Sequence, residues 1–574
     1  MKRPRVIVIG GGVSGSTAAL KAAEAGAEVL LFARTAPRRS LSCLEIGGLN
    51  AALDTKGESD SPSAHARDAI LCGDFLANQG RVEAMCEGAP AIARLFDRMG
   101  AAFARTPEGL PDLVRLAGSS CRRSLYSHAG VGAQLANVLY AQLRRRVSSG
   151  KVRLFEGWEF LSLVLDEKGL CRGVVAANRS NMEIKPFAAE AVVLCSGGFE
   201  GLWGRMSTKP AADGAGIAVC YEQGALLANP EFVQFSAFAV SGEDSCHPVC
   251  AFMQAFGARI QVPRESAAWR FLEEWHPASC GLVPDDVAAR AFHKMVAETG
   301  HGVDAVQADF SGIDDGIWSP SLVGRLDLFG RITGEDPRKV SVKVSPAASM
   351  TLGGLWVDSS HATSVGGLFA AGSASCGYHG ACALAGDELL SSSWGGLVAG
   401  GSAAFFALES GRGEVSSSTL ESAKAREEDA NVKFAQQQGD ENAHAIMREL
   451  SSLLSSSAFV ARDNKSLSAA SEKISELKER FERAQLADRG EWANLELFSM
   501  RSIGRAFALS QAVVAASLAR DESRGVFFKP EFPERDDVRW LATTRVEWTE
   551  SGPTLDHKER VDAKAFAPEV RKYE

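Results

Sequence analysis

The stretch VIVIGGGVSGSTAALKAAEAGAEVLLF, residues 6–32, decides how the chain is read. Residues 6–9 are an apolar run fit for a buried strand, and Gly10, Gly11, Gly12 and Gly15 follow at once. Residues 18–25 read as a helix closed by Gly26, and residues 29–32 as a second strand. Parallel strands joined by a helix within about 30 residues make a βαβ dinucleotide-binding unit. Glycines let the backbone approach a pyrophosphate, and the free amides and dipole at the helix N-terminus favour that anion. Gly10, Gly12 and Gly15 are the expected phosphate contacts, with Val13 and Ser14 between them. Ala33 and Arg34 close the second strand and complete the expected cofactor contacts of this unit.

The strand pattern returns twice. Residues 190–195 end in Ser196, Gly197 and Gly198 and lead to Asp213 and Gly214, and residues 366–371 end in Gly372. Residues 236–342, rich in aromatics and charge, read as an inserted cap. From residue 411 the pattern turns helical. SEKISELKERFERA (471–484) reads as charged and solvated, and FALSQAVVAASLARDES (507–523) as mostly buried. The polar tail from residue 526 reads as a small closing element. The expected fold is thus α/β followed by α. A Rossmann-type cofactor domain (1–235 and 343–410) is interrupted by the cap (236–342), then come a helical domain (411–525) and a C-terminal segment (526–574).

A chain of 574 residues exceeds one hydrophobic core. With 45% hydrophobic and 23% charged residues the composition is that of an ordinary globular protein. A net charge of −9 and a pI near 5.7 argue against nucleic acid as the main partner. The twelve cysteines are scattered, and the nearest pair, Cys246 and Cys250, has no matching second pair. That pattern implies reduced thiols, with no metal or iron–sulfur site in this chain. The N-terminus runs straight into a strand, which leaves no room for a cleavable signal. No apolar run reaches the roughly 18–20 residues that span a bilayer. The expectation is a cytoplasmic protein that meets a membrane only through partners.

Four long strings carry a family resemblance: DTKGESDSPSAHARDAILCGDFLANQ (54–79), MGAAFARTPEGLPD (99–112), EGWEFLSLVLDEKGLCRGVVAAN (156–178) and RDESRGVFFKPEFPERDD (520–537). They resemble the flavoprotein subunit of succinate dehydrogenases and fumarate reductases, closest to the branch found in Bacillus-type and epsilonproteobacterial respiratory enzymes. The resemblance covers essentially the whole chain. It implies an FAD domain interrupted by a cap, then helical and C-terminal domains. It also implies an iron–sulfur partner subunit that exchanges electrons with the flavin, and through the complex a membrane-anchor subunit. Gly47, Gly48, Gly197, Gly198 and Asp213 match family FAD positions.

The same resemblance marks departures. Leu41, between Ser40 and Ser42, stands where the family has the histidine that bonds covalently to the flavin, which implies noncovalent FAD. Ser373 replaces a family glutamate at the flavin, and Asp387, Glu388 and Leu389 replace the Asn-Ser-Leu that cradles the ring system. Glu388 either carries the displaced carboxylate or is a solvated surface residue. Ser236-Ala237-Phe238 stands for His-Pro-Thr at the cap entrance, and Met253-Gln254 for a carboxylate-holding Thr-Glu. Pro284 stands for the proton-shuttling arginine, Ser349 for a substrate histidine, and Ala383 for the clamping arginine. These replacements supply no charge and no titration near pH 7, so dicarboxylate chemistry loses its support.

Replacement groups are sought among Arg123, His128, His247, Arg259, His276 and His379. Arg259, Arg123 and His379 are the catalytic candidates, and Ser523, Arg524 and Gly525 match a structural family segment. Three readings stay open: an FAD-dependent oxidoreductase subunit with another substrate, a non-catalytic FAD relay or scaffold, and a genuine succinate or fumarate enzyme with relocated groups.

Overall fold

The computed structural model describes residues 3–571 except 129, 208–210, 242–245, 249–250, 266, 301, 303–304, 315–328, 332–333 and 410–414. Cys250 lies outside the described residues, as do the side chains of Cys246 and His247. The strand Arg5–Ile9 is central in a five-stranded sheet, flanked by Ala191–Leu194 and then Leu368–Ala370 on one side. On its other side lie Glu28–Ala33 and then Val152–Glu156. All four pairings are parallel, with Val8 opposite Val193 and Leu31. Val6, Ile7 and Val8 are fully buried because both faces are covered, one by the helices Val13–Glu24 and Glu388–Glu409 and the other by the antiparallel strands Trp158–Leu165 and Cys171–Asn178. Helix Val13–Glu24 packs against helix Glu388–Glu409. The contact is close because a Cβ on Gly400 would lie 2.3 Å from the Ala18 carbonyl oxygen.

The cap joins this domain through two antiparallel strands, Val233–Ser241 and Ser345–Thr351. The expected boundary at 235/236 therefore falls inside one strand, since VQFSAFAV carries no turn residue to break it. The cap itself holds a sheet of Arg259–Gln261, Gln307–Asp309 and Val342–Lys343, and the helix Asp285–Thr299.

Downstream come the helices Ser417–Gln436, Ala443–Ser457, Asn464–Phe481 and Leu495–Ala519. Each starts on a side-chain N-cap, respectively Ser416, Asn442, Asp463 and Asn494. The segment read as solvated is corrected here. Leu467, Ala470, Ile474, Leu477 and Phe481 form a buried stripe at helical spacing, leaving the lysines and glutamates outside. Helix Leu495–Ala519 is long and apolar enough by length and composition to cross a membrane, although Glu496, Arg501 and Arg505 interrupt its apolar run. In this structure it packs against helices Asn464–Phe481, Ala443–Ser457 and Ala215–Glu222, as a core helix does.

The tail is not a separate unit. Its strands Ala542–Glu547 and Thr554–Arg560 extend a sheet begun by Leu227–Ala228 and Gly354–Leu355 of the cofactor domain. At this junction Arg520 bonds Glu231 at 2.8 Å and Glu522 at 2.6 Å, and Arg524 bonds Glu522 at 2.9 Å. All four side chains are fully buried. Ser523, Arg524 and Gly525 belong to this junction: Ser523 Oγ donates to the Lys529 carbonyl, and Arg524 donates to the Asp74 carbonyl.

Candidate active site

The glycine loop opens onto a cavity of about 950 Å³ that runs from the sheet to the cap. Gly10 has φ +106°, and a Cβ there would sit 2.0 Å from the Cys195 carbonyl oxygen. Only glycine fits such a turn. The helix that follows has Gly12 as N-cap, no side-chain cap and no acid in its first turn. Its amide end is thus left for an anion.

Gly10, Gly12, Ser14, Ala33, Arg34, Ser40, Leu41, Ser42 and Gly47 line the cavity, as do Ser196, Gly197, Asp213, Ser373, Glu388 and Leu389. Three expected contacts do not line it. Gly15 seats the helix on the loop, since a Cβ there would lie 1.8 Å from the Gly10 carbonyl oxygen. Val13 packs into the core and sends its amide to Ser42 Oγ at 3.3 Å. Gly48 makes room for Ser124, whose Oγ would be 1.7 Å from a Cβ.

At the end of the second strand Arg34 bonds Glu159 at 2.6 Å and Asp213 at 2.9 Å. Ser196 Oγ is buried without a hydrogen-bond partner. Leu41 starts a short 3-10 turn, Leu41–Leu44, on the cavity wall. The nearby thiol of Cys43, also on the wall, donates to the Arg38 carbonyl at 3.0 Å. A long cavity, glycine-floored and ending on uncapped helix amides, with a spare hydroxyl donor, fits a flavin dinucleotide.

The cap-side end has a different chemistry. Ser236, Ser349, Ala383 and Pro284 line it as expected, with Phe252, Met350, Gln234 and Asp285. The four expected residues carry no charge, and a neighbour that the sequence reading passed over supplies a titrating group instead. Pro284 only precedes the helix, and the next residue, Asp285, puts its carboxyl on the cavity. Burial pushes Asp285 up to about 7, against the opposing hydrogen bond from Gln234. Burial, with Glu45 nearby, pushes Glu388 up to about 8. Glu388 lines the cavity, half-buried, and is not a solvated surface residue. Its Oε2 accepts from the Gly386 amide at 3.1 Å.

Gln234 ties this end together. Its side-chain oxygen accepts from the Ala383 amide at 2.8 Å, and its Nε2 donates to Asp285 Oδ2 at 2.9 Å. Its backbone carbonyl accepts from Ser349 Oγ at 3.1 Å. Sequence reasoning missed Gln234 and Asp285 as site residues. The signal available was an Asp285-Asp286 pair opening a helix, which also reads as ordinary N-terminal acidity.

The expected catalytic candidates lie elsewhere. Arg123 is fully buried and pairs with Asp60 and Asp68, each at 2.9 Å. Arg259 pairs with Glu273 at 3.2 Å in the cap. His379 bonds Ser391 Oγ at 2.9 Å, and burial pushes it down to about 4, so it is neutral at physiological pH. None of the three lines the cavity, nor do His128 and His276. Met253 and Gln254 do not line it either, because Phe252 takes that wall and Met253 is buried in the core. Among the described lining residues the only cations are Arg34, Arg38 and Arg39, next to the second strand of the βαβ unit.

Comparison with known proteins fits this architecture. The family profile of the FAD binding domain matches residues 5–389, and that of the fumarate reductase flavoprotein C-term matches residues 447–573. The chain is 37% identical to the succinate dehydrogenase flavoprotein subunit of Bacillus subtilis, over 100% of this chain and 99% of that one. It is 28% identical to the 8-methylmenaquinol:fumarate reductase flavoprotein subunit of Wolinella succinogenes, over 99% and 92%. The FrdA chain of E. coli quinol fumarate reductase shares the fold with a TM-score of 0.92 at 24% identity, covering 99% of this chain and 98% of that chain. Adenylylsulfate reductase of Archaeoglobus fulgidus also shares it, with a TM-score of 0.78 at 20% identity and coverage of 98% and 97%. An FAD-type cavity, the cap over it, the helical segment and full-length relatives agree: this chain belongs to the flavoprotein-subunit family of succinate dehydrogenases and fumarate reductases, and its cofactor is FAD.

Proposed function

We propose that the chain is the FAD-carrying subunit of a redox complex, that it holds FAD noncovalently, and that its substrate is not a C4 dicarboxylate. The observation that carries this reading is the cap-side end, where two carboxyls and no described cation face the cavity. A dicarboxylate brings two negative charges, and each needs a cation or hydrogen-bond donors once water is excluded. Ser236, Ser349 and Ala383 supply no charge. Full-length identity of 37% to a succinate dehydrogenase subunit supports the rival reading, succinate chemistry with relocated groups. A flavin relay without a small-molecule substrate is the third.

Bound FAD supplies two-electron exchange with a substrate and one-electron exchange with a partner. The residues of the chain position it. Gly10, Gly12 and the amides behind them meet the pyrophosphate, Arg34 and Asp213 hold the end of the second strand, and Ser373 and Leu389 border the ring system. The relatives are named as subunits, and we extend that to this chain: an iron–sulfur partner takes or gives the electrons. A membrane-anchor subunit then holds the complex at the inner face of the cell membrane.

Leu41 has no nucleophilic atom, which supports noncovalent binding. Acid precipitation of the holoprotein is expected to release all flavin into the supernatant. A yellow pellet overturns the noncovalent reading and points to Cys43, the thiol beside Leu41 on the cavity wall. Purification from the native host in mild detergent is expected to bring down a cysteine-rich, ferredoxin-like chain. Recovery of a lone, fully active protein would count against the partner.

A further inference from the structure

We propose that the cap-side end of the cavity binds an uncharged ligand that presents a carbonyl oxygen, with the Asp285 carboxyl as its hydrogen-bond donor and Gln234 as the residue that positions that carboxyl. The proposal rests on the reading above, in which FAD fills the glycine-floored part of the cavity and substrate meets it beneath the cap.

The orientation follows from bonds already made. Gln234 is 4% exposed, so its amide needs partners on both atoms. The Ala383 amide occupies its oxygen, which turns the NH₂ toward Asp285. Asp285 Oδ2 accepts from that NH₂, so a proton on the carboxyl belongs on the other oxygen, Oδ1. The groups around this carboxyl keep the proton there. Asp286, next on the helix, is anionic because Arg571 bonds it at 2.7 and 3.1 Å. Glu388 faces the cavity from the helix Glu388–Glu409, and Asp285 is among the acids that raise it. Ser349 spends its hydroxyl hydrogen on the Gln234 carbonyl. Among the described residues that line the cavity at this end there is no cation, Arg571 being held behind it by Asp286.

Burial, helped by Asp286, pushes Asp285 up to about 7, so below neutrality the carboxyl is a donor. A carboxylate ligand would meet acids and no compensating charge. A carbonyl oxygen would accept the Asp285 proton in a hydrogen bond, while Phe252, Met350 and Ala383 cover the apolar remainder.

The test uses the flavin-loaded protein and two small probes, malonamide and malonate, with Kd measured by calorimetry from pH 6 to pH 8.5. Malonamide is expected to bind at pH 6 and to weaken on the order of 30-fold by pH 8.5, as a carboxyl titrating near 7 gives up its proton. Malonate is expected to bind more weakly than malonamide throughout. Asp285→Asn is expected to flatten the pH dependence, as is Asp285→Ser should the amide variant fold poorly. Malonate binding tighter than malonamide, an unchanged pH slope in both Asp285 variants, or no binding of either probe overturns the proposal. The flavin spectrum and its bleaching by dithionite, recorded on the same samples, separate the two readings. An intact flavin without probe binding counts against this site alone, and a protein that holds no FAD counts against the reading beneath it.

Discussion

Fumarate turnover with reduced viologen, and succinate turnover with an artificial acceptor, are each expected to stay below about 1 s⁻¹ for the purified holoprotein, a rate at the low end for enzymes. The geometry gives the reason. Ser349 has its hydrogen engaged by the Gln234 carbonyl, and Ala383 offers only a methyl, its amide being taken by the same glutamine. Each lost hydrogen bond to a charged group is worth roughly 1.5–3 kcal/mol. Asp285 and Glu388, as they ionise above pH 7, add like charge to a dianion that already lacks a counter-ion. A carboxyl could still serve as proton donor, so the deficit lies in binding the dianion more than in proton supply. That places the loss chiefly in KM, with kcat/KM down by many orders of magnitude. Turnover above about 1 s⁻¹ would refute the reading and show that a neighbouring chain or a segment of the cap brings the missing cations. If turnover is absent, reduction of the flavin by the iron–sulfur partner alone would favour the relay reading over a new substrate.

How much of this was legible in the sequence depends on the range of the interaction. The βαβ unit of residues 6–32 was readable because its strands, glycines and helix are neighbours in the chain. The floor of the FAD cavity followed from it. The boundaries of the cap were not, because residues 233–241 form one strand that leaves the cofactor domain without a turn. The stripe Leu467, Ile474, Leu477 and Phe481 hid among charges, and its burial depends on helices far along the chain. The cap-side chemistry was the least legible. Gln234 and Asp285 are 51 residues apart, and Gln234 and Ala383 are 149 apart. Reading position against position assigned the lost arginine to Pro284 and stopped there. The neighbouring Asp285 acquires its meaning only once folding places it on the cavity, away from water and next to Gln234.

Removing the Glu231 carboxylate is expected to destabilise the protein by about 3–5 kcal/mol, the range for breaking a buried charge pair. Glu231 Oε1 accepts from Arg520 Nε at 2.8 Å and from Thr544 Oγ1 at 2.6 Å, and its backbone carbonyl accepts from Arg462 at 2.6 Å. These partners come from the end of the long core helix, from the C-terminal strand and from the loop after helix Ala443–Ser457. The carboxylate therefore ties two distant parts of the chain to the cofactor domain, and the backbone carbonyl of the same residue holds a third. Taking it away leaves Arg520 and Arg524 sharing Glu522 with no water to replace the loss. Burial already pushes Arg462 down to about 10, with Glu231 holding it up. Glu231→Gln keeps the size and removes the charge, so denaturant unfolding of that variant against wild type reads the electrostatic part. The double variant Glu231→Gln, Arg520→Met removes both members of the pair and is expected to recover part of the stability, since no lone charge remains between them. Lys473→Met, which breaks a half-exposed pair with Glu476, serves as the surface control and is expected to change nothing measurable. Glu231 lies three residues before Gln234 on the chain, so loosening it also loosens the strand that positions Asp285. Unfolding of Glu231→Gln at the wild-type denaturant midpoint would mean that the junction is held by packing of its rings and strands, with the charges contributing little.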